Sequence, residues 1–341
     1  MKRRRLLLLA LLAFAGAAGF AARRMFNPFQ GYTGEIFVDI RRGAGVAEIA
    51  GQLETAGVIP ADWTFLLLRL ARPRAVLRFG EYRFDRPLSP EQVFGKIASG
   101  DVFYHSFTVP EGSSLFEIAD ALEQTGFIGR QEFLLVARRG ERVADLAPGA
   151  RSLEGFLFPD TYRLTRHTTA EELAEQMLKR FRQVWGELSQ RRPVREVLQT
   201  VTLASLVEEE TPLQRERPLV ASVFRNRLQI GMRLQCDPTV VYALQRAGRY
   251  RGNINREDLG LEDPYNTYVR AGLPPGPIAS PGRASLEAAL APAESNYLYF
   301  VADNQGGHVF SRSIDGHSQA VVSYRRGQQR RGARSSRARR R

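Results

Sequence analysis

Three consecutive glutamates, Glu208, Glu209 and Glu210, end a run that is almost wholly apolar, VREVLQTVTLASLVEEE from Val194. Val194, Leu198, Val201, Ser205 and Glu208 follow helical steps, and Leu203, Val207 and Glu210 form a second row. A helix that is apolar nearly all round is buried. Glu208 and Glu210 both lie on rows that lead into a core, so periodicity does not choose between them. Glu209 falls between the rows. Burial disfavours the charged form of a carboxyl and raises its pKa, the condition a general acid needs near neutrality. Read on composition alone, the same three acids are the solvated end of a helix stopped by Thr211-Pro212.

The segments that follow could build a site around such a carboxylate. A helix is expected over Arg217 to Ile230, with Gly231 after its end. Arg227 lies on its inward side, where it could neutralise a buried acid or serve a structural ion pair. Asp237-Pro238 reads as an N-cap followed by proline at the first helical position, so the expected role of Asp237 is structural. Gln235, Thr239 and Tyr242 lie close enough to line a sugar site. Tyr265, Asn266, Thr267 and Tyr268 form a polar-aromatic cluster before the stiff loop LPPGPI, and Ser280-Pro281 is expected to cap a further helix. NYLYFVAD and HVFSRSI read as two strands joined at Asn304–Gly307, with His308 opening the second.

Stepping along the whole chain, MKRRR precedes an uncharged run from Leu6 to Ala22, then Arg23 and Arg24. The run is at the short end of what crosses a hydrocarbon core. The excess of positive charge before it keeps the N-terminus in the cytoplasm and exports the rest, although AGAAGFAA also offers small-residue cleavage sites. Two later stretches match at a fixed offset, Gly43–Ile59 and Gly112–Ile128, both reading G-x4-E-I-A-x2-L-E-x2-G-x-I. The match resumes in Glu81–Ile97 and Thr161–Met177, where Tyr82 answers Tyr162 and Glu91 answers Glu171. Each copy is predicted as strand, helix, helix, strand and a further helix capped by Ser89 or Thr169. The second copy carries an insertion near APGARSLEGFLFP. A small strand–helix–helix–strand unit resembles the LysM fold, which binds N-acetylglucosamine polymers, but a fold alone does not give a function.

Charge and cysteine content remove several classes. The formal net charge of +13 is carried by Lys2–Arg5 and by nine arginines from Arg325 onward. The body between is neutral, which argues against a nucleic-acid-binding domain. The single cysteine, Cys236, excludes a disulfide framework and a cysteine-based zinc site. Four scattered histidines suggest no metal site, and no phosphate-binding glycine loop is present.

ASLVEEET, VASVFRNRLQIGMRLQCDPTVVYAL, YNTYVRAGLPPGPIASPG and YLYFVADNQGGHVFSRS resemble, in order, motifs of the MltG (YceG-like) family of endolytic murein transglycosylases. The resemblance implies a single-pass inner-membrane protein with a cytoplasmic N-terminus, a LysM-like region and a periplasmic catalytic domain. It implies cleavage of the β-1,4 bond from N-acetylmuramic acid to N-acetylglucosamine in nascent glycan strands, 1,6-anhydro products, and no cofactor or metal. Peptidoglycan polymerases and penicillin-binding proteins are the implied partners. The family's catalytic glutamate falls on Glu208 and the second glutamate of its motif on Glu210. Cys236 stands where the family usually has Ser or Thr, and Glu209 where Lys is common. Two rivals stay open: a hydrolase of the same bond and a non-catalytic wall-binding scaffold.

The expected fold is α/β (α+β). Its parts are a basic stub and anchor over 1–24, a LysM-like unit over 35–104, a second repeat over 105–192, a helix-rich catalytic core over 193–324, and a disordered arginine-rich tail over 325–341.

Overall fold

The computed structural model describes residues 2–191 and 196–338; Val194, at the start of the expected apolar run, lies outside them. Helix α1, Lys2–Phe26, contains a 21-residue apolar stretch, Leu6–Phe26. At 1.5 Å per residue it is ~30 Å long, about the thickness of a bilayer core. Its leucines and Phe14 are exposed.

The chain divides into two compact units, one of residues 1–106 with 163–168, the other of 107–162 with 169–341. The first contains β1 (Ile36–Ile40), α2 (Val46–Thr55), α3 (Asp62–Ala71), β2 (Gly80–Phe84) and α4 (Pro90–Ser99). β1 and β2 pair antiparallel, Ile36 opposite Phe84 and Ile40 opposite Gly80. Alternate strand residues Val38, Ile40, Tyr82 and Phe84 point into a core shared with Ile49, Leu53, Phe65 and Phe94, as the two-residue period requires. Ser89 and Gln92 form a reciprocal capping box on α4. Buried Glu81 is held by Arg166 at 2.6 Å and His105 at 3.1 Å.

The second copy, most of which belongs to the second unit, runs β3 (His105–Thr108), α5 (Leu115–Thr125), α6 (Arg130–Ala137), β4 (Thr161–Leu164) and α7 (Ala170–Arg191), repeating the order of the first. Ser114 and Glu117 box the start of α5, and Gly126 ends it in the left-handed conformation. α7 buries Leu173, Met177, Leu178, Phe181, Trp185 and Leu188 along one face, and Phe181 packs edge-on to Phe156 of the insertion.

The rest of this unit consists of α8 (Val197–Glu210), α9 (Arg217–Gln229), α10 (Asp237–Arg246), α11 (Arg283–Leu290), β5 (Tyr299–Ala302), β6 (His308–Ser311) and α12 (Ile314–Ala338). Every residue of α8 from Val201 to Glu208 is buried, against α9, α10 and α11. Tyr299 pairs with Ser311 and Ala302 with His308 in the β5–β6 ribbon. Three details differ from expectation. Asp237 is the first residue of α10 and Cys236 its cap. Gly282, not Ser280, caps α11. α12 continues helical to Ala338 where a disordered tail is expected, the alanines, glutamines and arginines there being favourable helix formers.

One glycine holds the insertion against α8. Gly155 has φ +80°, and a Cβ there would stand 2.5 Å from Pro277 and 3.0 Å from Val201. Gly155→Ala is expected to lower stability by about 2–4 kcal/mol, combining left-handed strain with overpacking. Denaturant unfolding of the variant against the parent measures it.

Candidate active site

Glu208 closes α8 with only 9 % of its surface exposed. Both carboxylate oxygens are engaged: Oε1 accepts from Arg217 Nη2 at 2.6 Å and Oε2 from the Gly282 backbone N–H at 2.9 Å. Burial raises the Glu208 pKa, and the negative charge of Glu111 adds to the rise. The Gly282 N–H and the Arg217 cation oppose it. Arg217 opens α9 and is itself buried. Among the described residues its Nε and Nη1 have no hydrogen-bond partner, and neither has the hydroxyl of Ser280, whereas the Ser285 hydroxyl acts on Glu208 and lowers its pKa. Glu111, exposed in the β3–α5 loop, stands 3.6 Å from Arg217 Nη1. Its carboxylate occupies the place a Cβ on Gly282 would need. Two carboxylates thus share one guanidinium.

Glu210 faces a different group of residues. Burial raises its pKa, helped by Asp237 and opposed by the Cys236 thiol, His308 and Arg227. Asp237 accepts a hydrogen bond from the Tyr268 hydroxyl. His308 Nδ1 lies 2.7 Å from Glu216 Oε2, and its backbone N–H donates to Glu216 Oε1. Glu209 is exposed, beside Gly112.

Several residues singled out from sequence are structural here. Arg227 does not pair with Glu208. It donates to Leu298 O and Leu234 O, both at 2.6 Å, and stacks over Tyr299. The counter-ion of the buried acid is Arg217, which the pattern of α9 does not single out because it sits in the first turn. Thr239 spends its hydroxyl on Cys236 O and Thr267. Asn266, wholly buried, donates to Leu259 O and Leu261 O and accepts from Tyr268 N. Gln235 is exposed in a left-handed conformation, φ 49°. Glu111 and Glu216 are the acids the sequence leaves unmarked, since an isolated glutamate in a loop or first turn looks like solvated surface.

Tyr242 and Tyr265 meet elsewhere in the unit. Their ring centres are 4.9 Å apart, Phe116 packs on Tyr242, and Arg246 lies over Tyr265 at 4.6 Å. Behind Tyr242 is Glu154, 1 % exposed, which accepts from the Leu115 N–H at the start of α5. Burial pushes its carboxyl up to about 8, against the lowering effect of Leu115 N–H and Tyr242.

The arrangement defines a class: a protein with one buried carboxyl, tuned upward and clamped by a guanidinium and a backbone amide, as suits acid/base work on an uncharged leaving group. The profile of the YceG-like family matches residues 38–323, and the chain belongs to that family. An endolytic murein transglycosylase of Bacillus subtilis is 32% identical over 306 residues, 84% of each chain. One of Streptococcus pneumoniae is 30% identical over 326 residues, 85% of this chain and 58% of that protein. A crystal structure of a YceG-like protein from Listeria monocytogenes, 31% identical, superposes with a TM-score of 0.55 over 84% of this chain and 98% of that one.

Glu154 makes a pH-dependent contribution to stability. Its folded pKa lies above the unfolded value, so the folded state holds the proton more tightly. Stability therefore falls as pH rises from about 4.5 toward about 8. Glu154→Gln is expected to flatten that part of the stability–pH curve, measured by denaturant unfolding between pH 5 and 9.

Proposed function

We propose that this protein is an endolytic peptidoglycan lytic transglycosylase that cuts the MurNAc-β-1,4-GlcNAc bond of nascent glycan strands and leaves 1,6-anhydro-MurNAc ends. The observation that carries the reading is the buried Glu208 carboxyl, its pKa raised, flanked by Arg217, Gly282 and Glu111. The relatives named endolytic murein transglycosylase support the same activity.

In the reaction, protonated Glu208 gives its proton to the glycosidic oxygen as the C1–O bond breaks. The muramic acid 6-hydroxyl then attacks C1, and the Glu208 carboxylate takes that hydroxyl's proton. The acid is regenerated and no water is consumed. Because the nucleophile belongs to the substrate, little entropy is spent in fixing it. With Oε1 held by Arg217, the proton-donating state requires that the guanidinium turn from Glu208. Glu111, 3.6 Å from Nη1, offers the alternative partner. Glu208 and Glu111 are the catalytic and positioning acids in this scheme. Glu210, with Asp237, Tyr268 and His308, lines the flank.

Helix α1 anchors the protein in the plasma membrane, with Lys2–Arg5 on the cytoplasmic side and the remainder outside. The β1–α2–α3–β2 unit is the LysM-like part and holds glycan. The arginines from Arg325 onward lie against anionic lipid or wall polymer. Peptidoglycan polymerases are the partners whose strands the enzyme ends.

Mass spectrometry of products from uncrosslinked glycan strands tests the reaction. Internal cuts with 1,6-anhydro ends are expected, and Glu208→Gln should lose about a thousandfold or more in rate while still binding strands. Reducing ends would instead identify a hydrolase, and binding without cleavage by the parent protein a scaffold. Glu111→Gln removes a charge that raises the Glu208 pKa. The proton on the general acid is then lost at lower pH, so the alkaline limb of the kcat/KM profile should move to lower pH.

A further inference from the structure

A cavity of about 310 Å³ lies in the second unit, away from the Glu208–Arg217 pair. Phe116, Tyr242 and Tyr265 give it an aromatic wall, and Arg138, Arg151 and Arg246 supply cations. The cations are poorly neutralised. Among the described residues neither Arg138 nor Arg151 has an acidic side chain within 4.0 Å. Arg246 has only Asp263, at 3.3 Å. The Tyr265 hydroxyl has no hydrogen-bond partner among the described residues, and Arg151 and Arg246 both act on its ring oxygen. Of the acids behind the wall, Glu154 is pushed up to about 8 by burial and Asp263 is paired with Arg246. The result is a cavity of ligand-binding size lined by guanidinium donors and a phenol, with no acidic residue among its lining side chains.

Its position bears on the substrate. Phe116 adjoins Glu117, which accepts from Gln245 Nε2 at 3.4 Å and whose charge acts on Glu209, the neighbour of Glu208. The cavity is therefore lined by a helix, α5, whose next residue acts electrostatically on the neighbour of Glu208. A neutral sugar ring would stack on the tyrosines but would leave Arg138 and Arg151 without an ionic partner. Guanidinium recognises carboxylate and phosphate oxygens through paired N–H donors.

We propose that the cavity between α5, α6 and α10 is a subsite for an oxyanion borne by the substrate strand, bound by Arg138, Arg151 and Arg246 beside the Tyr242–Tyr265 wall. Two parts of a nascent strand carry that chemistry: the carboxylates of its stem peptides and the pyrophosphate of its lipid-linked end. The subsite rests on the glycan-strand reading above and selects strands by what is attached to the sugars.

The experiment uses the full chain in detergent with Glu208→Gln, so that nothing turns over. The free stem tetrapeptide and inorganic pyrophosphate are titrated separately by calorimetry, with and without Arg138→Ala and Arg151→Ala together. Both arginines are exposed, so their replacement leaves the core intact. At least one probe is expected to bind, and the double variant to bind it about tenfold more weakly. Peptide binding assigns the stem carboxylates; pyrophosphate binding assigns the lipid-linked end. In the active protein the double variant should raise KM for strands bearing the bound group and leave kcat unchanged, with no effect on strands stripped of that group. Binding of neither probe, or equal binding by parent and double variant, overturns the subsite. Because binding is read without cleavage, a failure of the transglycosylase reading stays separate from a failure of this one.

Discussion

A carboxylate and a guanidinium taken out of water together must repay several kcal/mol of lost hydration each. The Glu208–Arg217 pair does so with a 2.6 Å hydrogen bond, and the second oxygen of Glu208 is satisfied by the Gly282 amide. Much of the second unit is arranged around that requirement. α8 must be apolar on every side to carry Glu208 inward. α9 must begin where its first side chain reaches the end of α8. The cap of α11 is a glycine, and the Glu111 carboxylate lies in the space a Cβ there would take. Arg217 is left with two unsatisfied nitrogens, an expense that makes sense where a ligand is to supply acceptors.

The insertion in the second repeat ties that repeat to α8. Glu154 accepts from the first amide of α5, and Gly155, next in sequence, lets the chain approach α8 and the Pro277 loop. Ser205 on α8 continues the connection by accepting from Ile278 N–H at 3.1 Å. Glu111 reaches the site from the loop just before α5, so positioning α5 also positions the second carboxylate. The first repeat, which lacks the insertion, has a core of its own.

The polar residues of the unit separate into groups with different tasks. Thr239, Thr267 and Asn266 use their hydrogen-bonding capacity on backbone and on one another, fixing the start of α10 against the polar-aromatic loop. Glu210, Cys236, Asp237 and Tyr268 form a coupled acidic flank. Tyr242 and Tyr265 bound a cavity whose charge is positive. A carbohydrate polymer passing such a surface meets an acid, a flank of acceptors and a set of donors.

The sequence by itself determined the long apolar helix α1, from an uninterrupted apolar run with basic ends. It determined the duplication, from matched glycines, acids and apolar steps, and the burial of α8, from a run that is apolar nearly all round. It also placed a glutamate at the end of that helix. These are local properties: each depends on residues within a few turns of one another, and periodicity reports which face of an element is apolar. The partners of the acid were a matter for tertiary structure. Arg217 and Arg227 are both compatible with the pattern of α9, and only the packing of α9 against α8 puts Arg217 on Glu208 and sends Arg227 to two backbone carbonyls. Glu111, Gly282 and Glu154 come from segments far apart in the chain, and nothing in their neighbours' spacing marks them. Asp237 looks like a cap because of the proline after it, yet the fold begins α10 one residue differently and leaves its carboxylate for Tyr268. Direction and distance between side chains of separate elements are set by how those elements pack, which no single stretch of sequence encodes.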